Sequence, residues 1–537
     1  MMRFAKTLGG LVVASTAFGG AALPTESPRA VASRVMPTVV RIWIEETMLT
    51  GTIIGKDGLV VTCAHIPANV GQSVAVVTQD GRRYAAKVIS KLPKPGERRS
   101  GKDIALVQMV GAKGLPVASI GRSDARELMA VGYPDTLLLG DNRSQDPAYV
   151  RLGTPVKRTY DKEPMELVTS IFGSGGDSGG PLFDLAGNLI GVCHAGETSG
   201  SYTRYTRIEA LLAGWSKLTS KPRPALSTRR PPAGPALKAS VPASIRSAVV
   251  EVRSQERWVG FGCVVGEGLI VTKASELGPE LRVVLNDIDV ALAEVAATDP
   301  SRDLALLRLS YAPELTKLIP KIKWSSLPDL PVATPVAVAT PLEFTALTGI
   351  SCYRARPVPP IAGIIPVVTK PAPNGVEITE ITDSFFTYRL RRPFFPLRVG
   401  DVITQLEGIP VPDPAAFVKL AFEGKKIGKR PRVSGEPIEV TFLRNGKTLK
   451  QTVTLEFGAT PSSQLVRASS LRYSAFASAI GTDIRIRPEH CGAPVVDDRG
   501  RVVGLMVGRA PFIEALILPA SEVAKSLDTM LRSLGGR

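Results

Sequence analysis

The chain has 537 residues, of which 44% are hydrophobic, 21% charged and 6% aromatic, a composition typical of globular proteins rather than disordered or membrane-spanning ones. Its length predicts about three or four domains. Its formal net charge of +17 would favour anionic surfaces in general, including membranes and nucleic acid.

The first residues predict an export signal. Arg3 and Lys6 give a positive start, an apolar stretch follows, and Gly20-Ala-Ala22 offers small residues of the kind a signal peptidase recognises. The apolar run is too short to cross a bilayer comfortably. We therefore expect a signal peptide at 1–22 and a periplasmic or secreted mature chain. The alternative is an uncleaved signal that anchors the chain in the membrane.

A long-range repeat organises the rest of the chain. Three blocks each occur twice, in the same order: 51–65 and 262–275, 103–109 and 303–309, and 180–191 and 493–504. Each block has Val-, Ile- and Leu-rich runs broken by a tight turn, which is typical of paired strands. The repeat predicts two copies of one mainly β domain, in which closed barrels leave no exposed strand edge.

The boundaries follow from these blocks and from the composition between them. An aperiodic stretch rich in Pro and Arg separates the copies, and a further domain is inserted in the second one. The expected segments are a first copy at 28–218, a linker at 219–242, a second copy at 243–355 and 459–535, and an insert at 356–458. The clearest helical spacing is at 521–534.

Polar residues of the first copy supply the parts of a nucleophilic site. The chain contains three motifs in this order: Thr62-Cys-Ala-His65, Asp103-Ile-Ala-Leu106 and Gly176-Asp-Ser-Gly-Gly-Pro181. A serine such as Ser178 needs a base to take its proton, imidazole suits that role, and a carboxylate fixes the tautomer of the imidazole. The glycines allow a sharp turn that would point the N–H groups of Gly176 and Ser178 at one spot, an oxyanion hole.

These motifs resemble those of trypsin-like serine proteases, and 28–218 is most similar to the HtrA/Deg branch of bacterial envelope proteases. The resemblance implies that His65 is the general base, that Asp103 orients it and that Ser178 attacks the scissile carbonyl. It implies a mainly β fold of two tandem trypsin-like double β-barrel domains, the second interrupted by an insert. It implies no cofactor and no metal.

Two residues depart from the pattern of that branch. Asp177 stands where the HtrA branch commonly has Asn. In digestive relatives the matching Asp pairs with a new N-terminus, but this chain has no start of that kind, so activation by cleavage is not expected. Phe172 stands where trypsin carries its specificity Asp. We therefore expect a small or medium apolar substrate residue, not a basic one, before the scissile bond.

The second copy has other residues at the matched positions. It has Ser275 for the histidine, Asp303 for the aspartate and Cys491 for the serine. A cysteine nucleophile also needs a base, which Ser275 cannot supply. His490 is a poor substitute, because neighbouring side chains on an extended backbone point in opposite directions. We expect a silent copy that packs, holds the insert or aids assembly; cysteine-based activity is the alternative.

The insert resembles a bacterial PDZ domain. The resemblance rests on Gly400-Asp-Val-Ile403 and on a terminal hairpin that turns at Asn445-Gly446; a short helix is expected at 413–423. PDZ domains add a peptide as a strand and hold its C-terminal carboxylate on backbone amides. A loop at 361–364 resembles the carboxylate loop, which makes Gly363 the candidate peptide-binding residue. The alternative is a PDZ fold used only for internal docking.

The remaining polar residues favour less specific roles. His194 follows an apolar strand and is expected to be structural or to flank the substrate rather than to be catalytic. The five cysteines form neither a disulfide framework nor a zinc site, although Cys63 and Cys193 would be able to bridge in an oxidising compartment. The basic run at 425–432 favours a solvated loop, since no nucleic-acid-binding motif accompanies it.

The sequence thus predicts an exported serine endopeptidase that acts on unfolded or exported proteins, with C-terminal peptides bound at the PDZ groove for recruitment or control. Assembly into a homo-oligomer is a further option. The alternative is a non-catalytic scaffold or chaperone-like binder in which the triad is misaligned. A nucleic-acid binder is a distant third, supported by charge alone.

Overall fold

The computed structural model describes residues 26–92, 102–134, 148–156, 165–196, 202–231, 239–285, 289–311, 313–324, 330–341, 344–361, 363–381, 395–423, 432–457, 469–510 and 514–535. The signal expected at 1–22 and most of the basic run at 425–432 lie outside these residues. Within them, no helix is long and apolar enough to span a membrane. Strands dominate the described chain, and the expectation of a mainly β fold is confirmed.

The first copy contains a closed barrel and a second sheet. Its strands are β1 (Val39–Ile44), β2 (Thr47–Ile53), β3 (Leu59–Thr62), β4 (Ser73–Val77), β5 (Arg83–Leu92), β6 (Ile104–Met109), β7 (Ser119–Ile120), β8 (Leu128–Gly132), β9 (Tyr149–Gly153), β10 (Glu166–Thr169), β11 (Pro181–Asp184), β12 (Asn188–Gly196) and β13 (Thr203–Arg207). The barrel runs β1-β2-β3-β6-β5-β4, and the sheet runs β10-β13-β12-β11-β8-β9 with β7 beside β12. Branched apolar residues such as Ile42, Val60 and Val107 fill the barrel, as the alternating pattern requires.

The pairing of β3 with β6 brings two expected site residues together. These strands are antiparallel, with Thr62 opposite Ala105, so the end of β3 and the start of β6 meet at one end of the barrel. His65 follows β3 closely and Asp103 immediately precedes β6. The loop that bears Ser178 is held at the same end, because the Ser178 carbonyl accepts a hydrogen bond from the N–H of Thr50 at 3.0 Å.

The second copy repeats this arrangement. Its strands are β14 (Val249–Ser254), β15 (Arg257–Gly266), β16 (Leu269–Lys273), β17 (Leu281–Leu285), β18 (Asp289–Asp299), β19 (Leu304–Leu309), β20 (Pro335–Val338), β21 (Leu347–Ile350) and β22 (Arg356–Val358) before the insert, and β31 (Phe476–Thr482), β32 (Pro494–Asp497), β33 (Val502–Arg509) and β34 (Ala515–Pro519) after it. A closed barrel runs β14-β15-β16-β19-β18-β17, and the sheet runs β21-β20-β32-β33-β34-β31-β22.

Chain from both sides of the insert completes that second sheet. β20 pairs with β32, with Val336 opposite Asp497. β22, which lies within the range expected for the insert, pairs with β31 of the second copy. The three residues of β22 therefore share a sheet with the second copy rather than with the strands of the insert.

The insert has its own sheets and its own apolar core. Its strands are β23 (Gly363–Ile364), β24 (Val367–Ala372), β25 (Gly375–Ile381), β26 (Val402–Leu406), β27 (Ile409–Pro410), β28 (Pro437–Arg444), β29 (Lys447–Thr454) and β30 (Glu456–Phe457). They form the sheet β24-β25-β26-β28-β29, with β27 beside β26, and the pair β23-β30. The predicted hairpin is present between β28 and β29. Asn445 and Gly446 both have positive φ, as a two-residue hairpin turn requires.

The helices are short except at the C-terminus. They are α1 (Pro28–Val35), α2 (Ile208–Ala213), α3 (Trp215–Leu218), α4 (Ala243–Arg246), α5 (Pro414–Glu423) and α6 (Ala520–Gly535). The helices predicted at 413–423 and 521–534 correspond to α5 and α6. Helical spacing in α6 places Val523, Leu527 and Met530 on one face, and all three are buried in the core of the second copy.

Candidate active site

His65, Asp103 and Ser178 lie within hydrogen-bonding distance of one another. The Nδ1 atom of His65 is 2.6 Å from Oδ2 of Asp103, and its Nε2 atom is 3.1 Å from Oγ of Ser178. An ionised carboxylate only accepts hydrogen bonds, so Nδ1 carries the proton and Nε2 is free to accept from the serine hydroxyl. The structure therefore brings together the three residues expected from the motifs, in an order suited to moving a proton from Ser178 to His65.

The surroundings of Asp103 keep its carboxylate ionised and fixed. Its Oδ1 atom accepts the backbone N–H groups of Ala64 at 2.7 Å and of His65 at 2.9 Å. Burial by itself would raise the pKa of the Asp103 carboxyl, but its hydrogen bond to His65, the electrostatic attraction to that side chain and the Ala64 N–H outweigh burial and lower that pKa. Asp103 can thus orient His65 without taking its proton.

The loop around Ser178 needs glycine at two positions. Gly176 has a φ of 82° and Gly179 a φ of 81°, in the left-handed region that favours glycine. A Cβ atom on Gly179 would lie 1.9 Å from Oγ1 of Thr62 and 2.3 Å from the Thr50 carbonyl, so no side chain fits there. The tight approach of this loop to the barrel sets the position of the serine relative to His65.

The N–H groups of Gly176 and Ser178 are available as donors. The Gly176 carbonyl accepts from Oγ1 of Thr50 at 2.7 Å, which fixes the peptide plane on that side. Across the described ranges, neither N–H donates to another group of the protein. Two unspent donors beside a nucleophile can stabilise negative charge on a substrate oxygen.

Arg151 is the partner of Asp177, and the sequence analysis did not find it. The guanidinium donates to both carboxylate oxygens, at 2.7 Å and 2.6 Å, and the two side chains are 3% and 5% exposed. A Cβ atom at Gly132 would lie 2.5 Å from Oδ1 of Asp177, so this position of β8 leaves room for the pair. A signal was present, since Arg151 interrupts an apolar strand and Asp177 had no assigned partner.

Two other expected residues occupy defined places near this loop. The ring of Phe172 lies under Arg485 of the second copy, 4.2 Å from the guanidinium carbon, and packs beside Tyr149 and Tyr353. His194 is largely buried, with Nε2 3.3 Å from Oε1 of Glu166. Burial lowers the pKa of His194 although Glu166 opposes this, which favours a neutral ring.

Gly363 does not fit the role of carboxylate binder. Its N–H already donates to the Arg432 carbonyl at 2.9 Å, and its two-residue strand pairs with Glu456–Phe457. A Cβ atom at Gly363 would lie 2.7 Å from the Val433 carbonyl. The expectation for Gly363 is therefore corrected, because its donor is spent inside the protein.

The matched positions of the second copy hold a different network. The N–H of Ser275 donates to Oδ1 of Asp303 at 2.8 Å, as the N–H of His65 does to Asp103. Lys273 reaches the other oxygen of Asp303 at 2.7 Å and also donates to the hydroxyl of Ser275. An ammonium therefore occupies the place beside the aspartate, and no imidazole is there to act as base.

Lys273 was not singled out in the sequence, although it stands at the position of Cys63 in the repeated motif. Cys491 is fully buried, and its Sγ atom lies 3.5 Å from Oγ of Ser470. Nδ1 of His490 accepts from the Arg487 N–H at 2.9 Å, and its ring stacks edge-on with Trp258. These contacts tie the His490 ring to Arg487 and Trp258.

We expect Asp303→Asn to destabilise the chain without changing catalysis. Lys273 and Asp303 are 1% and 3% exposed, and breaking a buried ion pair on one side costs about 3 kcal/mol or more, although Glu276 at 3.7 Å keeps part of the compensation. Asn retains the acceptor for the Ser275 N–H and tolerates the φ of 57° at this position. Thermal unfolding of the purified chain measures the effect.

The double variant Asp303→Asn with Lys273→Met is the control for that prediction. It removes the unpaired charge and restores an apolar stem of similar length, so part of the lost stability should return. An Asp303→Asn chain that unfolds at the wild-type temperature would contradict the assignment of this pair as a buried structural contact.

The five cysteines are free, buried thiols in the structure, so Cys63 and Cys193 are not bridged in it. Cys63 lies beside the site, with Sγ 3.5 Å from Nε2 of His65. Burial raises the pKa of the Cys63 thiol well above its ordinary range, which keeps it neutral and a poor nucleophile.

Comparison with known proteins finds a family match within the first copy. The trypsin-like peptidase domain matches residues 49–192. The putative protease Do-like 14 of Arabidopsis thaliana is 32% identical over 185 residues, which are 30% of this chain and 40% of that protein. A probable periplasmic serine endoprotease, DegP-like, of Chlamydia muridarum is 31% identical over 154 residues, 27% of each chain.

The chain thus spans less than half the length of these relatives. A serine endoprotease structure from Yersinia pestis covers 81% of this chain and all of its own, at 15% identity and a TM-score of 0.29. The family match at 49–192 includes His65, Asp103 and Ser178. The first copy is thus similar to trypsin-like serine protease domains, including those of Do-like and DegP-like proteins.

Proposed function

We propose that the chain is an exported serine endopeptidase that acts on unfolded or exported proteins through His65, Asp103 and Ser178. The observation that carries the proposal is a chain of two hydrogen-bond contacts, from Asp103 to His65 at 2.6 Å and from His65 to Oγ of Ser178 at 3.1 Å. The export part of the proposal rests on the signal expected at 1–22. The matched relatives include one named as probably periplasmic.

The first half-reaction forms an acyl-enzyme. Nε2 of His65 takes the hydroxyl proton while Oγ of Ser178 bonds to the scissile carbonyl carbon, whose electron pair moves onto oxygen. The N–H groups of Gly176 and Ser178 donate to that oxyanion, and one such donor is commonly worth about 10²–10³ in rate. His65 then gives its proton to the amine nitrogen as the C–N bond breaks. Asp103 stabilises the imidazolium throughout.

The second half-reaction restores the enzyme. Water loses a proton to His65 and bonds to the acyl carbon, and Ser178 leaves with the proton that His65 returns. For specificity we keep the proposal that Phe172 closes the pocket against basic residues and favours a small or medium apolar one. An aromatic ring at this position, covered by Arg485, offers no carboxylate to pair with a substrate cation.

We also propose roles for the second copy, the insert and the linker. The second copy at 243–355 and 459–535 is catalytically silent. This part of the proposal is supported by Lys273, whose ammonium occupies the place beside Asp303. The insert at 356–458 is a PDZ domain that binds C-terminal peptides. Its sheet has β24 as an edge strand with α5 packed beside it, an arrangement in which a peptide can add as a strand. The linker at 219–242 joins the two copies.

The second candidate function is a non-catalytic scaffold or chaperone-like binder. It is favoured by one observation, namely that a large part of the chain consists of a copy without a base and an insert with an exposed sheet edge. The two candidates make different demands on Ser178. Only an enzyme needs its hydroxyl to be reactive.

Labelling with a fluorophosphonate probe separates the two functions. The mature full-length chain is treated with the probe, digested and mapped by mass spectrometry, beside the Ser178→Ala variant. We expect one modified peptide, the one that contains Ser178, and no label on the variant. The same preparation should cleave casein. A wild-type chain that takes no label and leaves casein intact would favour the scaffold.

A further inference from the structure

The second copy contacts the first at β9, an edge strand of the sheet. Edge strands present N–H groups that have no partner within their own sheet. Here the N–H of Val150 donates to the Cys352 carbonyl at 3.2 Å, and the N–H of Leu152 donates to Oδ2 of Asp483 at 2.8 Å. The other oxygen of Asp483 accepts from the Ile350 N–H at 2.7 Å, which ties this carboxylate to the second copy.

Arg151 lies between these two anchored residues and points into the first copy. Its guanidinium holds Asp177 by two hydrogen bonds and also donates to the Phe172 carbonyl at 2.8 Å. A planar guanidinium with several fixed donors defines the geometry of what it binds more strictly than a point charge does. One side chain thus clamps both ends of the loop at 172–177, which leads directly to Ser178.

The second copy reaches the same loop by another contact. The guanidinium of Arg485 lies 4.2 Å from the ring centroid of Phe172 and also donates to the Ser170 carbonyl. An arginine over an aromatic face is held by the electrons of the ring. The start of the loop is therefore fixed from outside the first copy.

This loop needs such support because of its composition. It contains Gly173, Gly175 and Gly176, and glycine loses more backbone freedom on ordering than other residues. A flexible glycine segment does not by itself keep two N–H groups aimed at one point. Contacts from neighbouring elements must supply the order.

We propose that the second copy is a built-in activator of the first: by fixing β9 through Asp483 and Cys352, it lets Arg151 hold Asp177 and keeps the oxyanion donors beside the nucleophile aligned. Arg151 and Asp483 are positioning residues, since neither touches the substrate or the reacting atoms. The inference rests on the proposed function, because it assigns the second copy a part in that reaction.

Steady-state kinetics on full-length variants test this. We expect Arg151→Met to lower kcat by about 10²-fold, the scale of a misplaced oxyanion donor, with KM changed only slightly. Arg151→Lys keeps a cation and should recover part of that loss. Asp483→Asn, whose amide group cannot accept both N–H bonds, should lower kcat by about tenfold. The substrate is a fluorogenic peptide copied from a casein site that the wild type cleaves.

Asp497→Asn is the matched control. Asp497 is also a buried aspartate of the second copy that accepts two backbone N–H groups, but these belong to Arg499 and Arg501 in the turn after β32 and not to β9. The Asp497→Asn variant should be less stable than the wild type and keep its kcat. Circular dichroism of each variant separates misfolding from misplacement, and Arg151→Lys and Asp483→Asn decide the matter if Arg151→Met does not fold.

The outcomes are distinguishable. An active wild type whose Arg151 and Asp483 variants keep their kcat overturns the inference alone. Equal losses of kcat in Asp483→Asn and Asp497→Asn also overturn it, since the effect would then be general destabilisation. An inert wild type overturns the proposed function and this inference together.

Discussion

Ser178→Ala is expected to lower kcat for peptide-bond hydrolysis by about 10⁵–10⁶-fold, to the level that binding and oxyanion donors alone support. The serine Oγ lies 3.1 Å from Nε2 of His65, and no other hydroxyl takes its place in that network within the described residues. Removing the nucleophile leaves water as the only attacking group. The measurement is kcat for a casein-derived fluorogenic peptide, with wild type and variant at equal concentration.

Cys491→Ala is the matched control for this experiment, because Cys491 stands at the same position of the second copy. Its side chain is fully buried, and Ser275 stands where the first copy has its histidine base, so kcat should not change. Loss of hydrolysis in Cys491→Ala with retention in Ser178→Ala would mean that the reaction had been assigned to the wrong copy.

The second large effect is expected for Asp103→Asn, which should lower kcat by about 10⁴-fold at neutral pH while the fold is kept. An amide can donate to Nδ1 and so favours the imidazole tautomer that cannot accept the serine proton at Nε2. Since the pKa of the Asp103 carboxyl is held below its ordinary value, the wild-type residue is ionised throughout the range from about pH 5 to 9. We expect the loss at every pH in that range.

The control for Asp103→Asn is the same substitution at Asp303. Both aspartates accept a backbone N–H through Oδ1, so the two variants make the same local change. The first should lose activity and the second stability. A mere few-fold loss of kcat in Asp103→Asn would contradict the assigned role of this carboxylate as the group that orients His65.

Much of the candidate site could be predicted because its chemistry is encoded locally. His65, Asp103 and Ser178 each stand in a short motif whose backbone shape depends on neighbouring residues, as the crowding around Gly179 illustrates. The helix at α6 and the hairpin at Asn445-Gly446 were predicted for the same reason, since helical spacing and turn type are local properties. The sequence repeat then predicted that the second copy has the same fold as the first.

The partners of buried charges could not be predicted in this way. Arg151 lies 26 residues before Asp177, and only the order of strands in the sheet brings them together. Lys273 lies within the repeated motif, but whether its ammonium turns inward depends on the depth of burial of Asp303. Gly363 was misjudged because its N–H donates to the carbonyl of Arg432, a residue far along the chain.

The position of Asp483 has a consequence for the order in which the protein is made. The strands of the first copy all lie before residue 208, whereas Asp483 follows Leu152 by 331 residues. At ordinary rates of synthesis the ribosome needs about 15–70 seconds to add that length of chain. On the proposed activation, a newly made first copy waits for this support until the strands around Asp483 have been added.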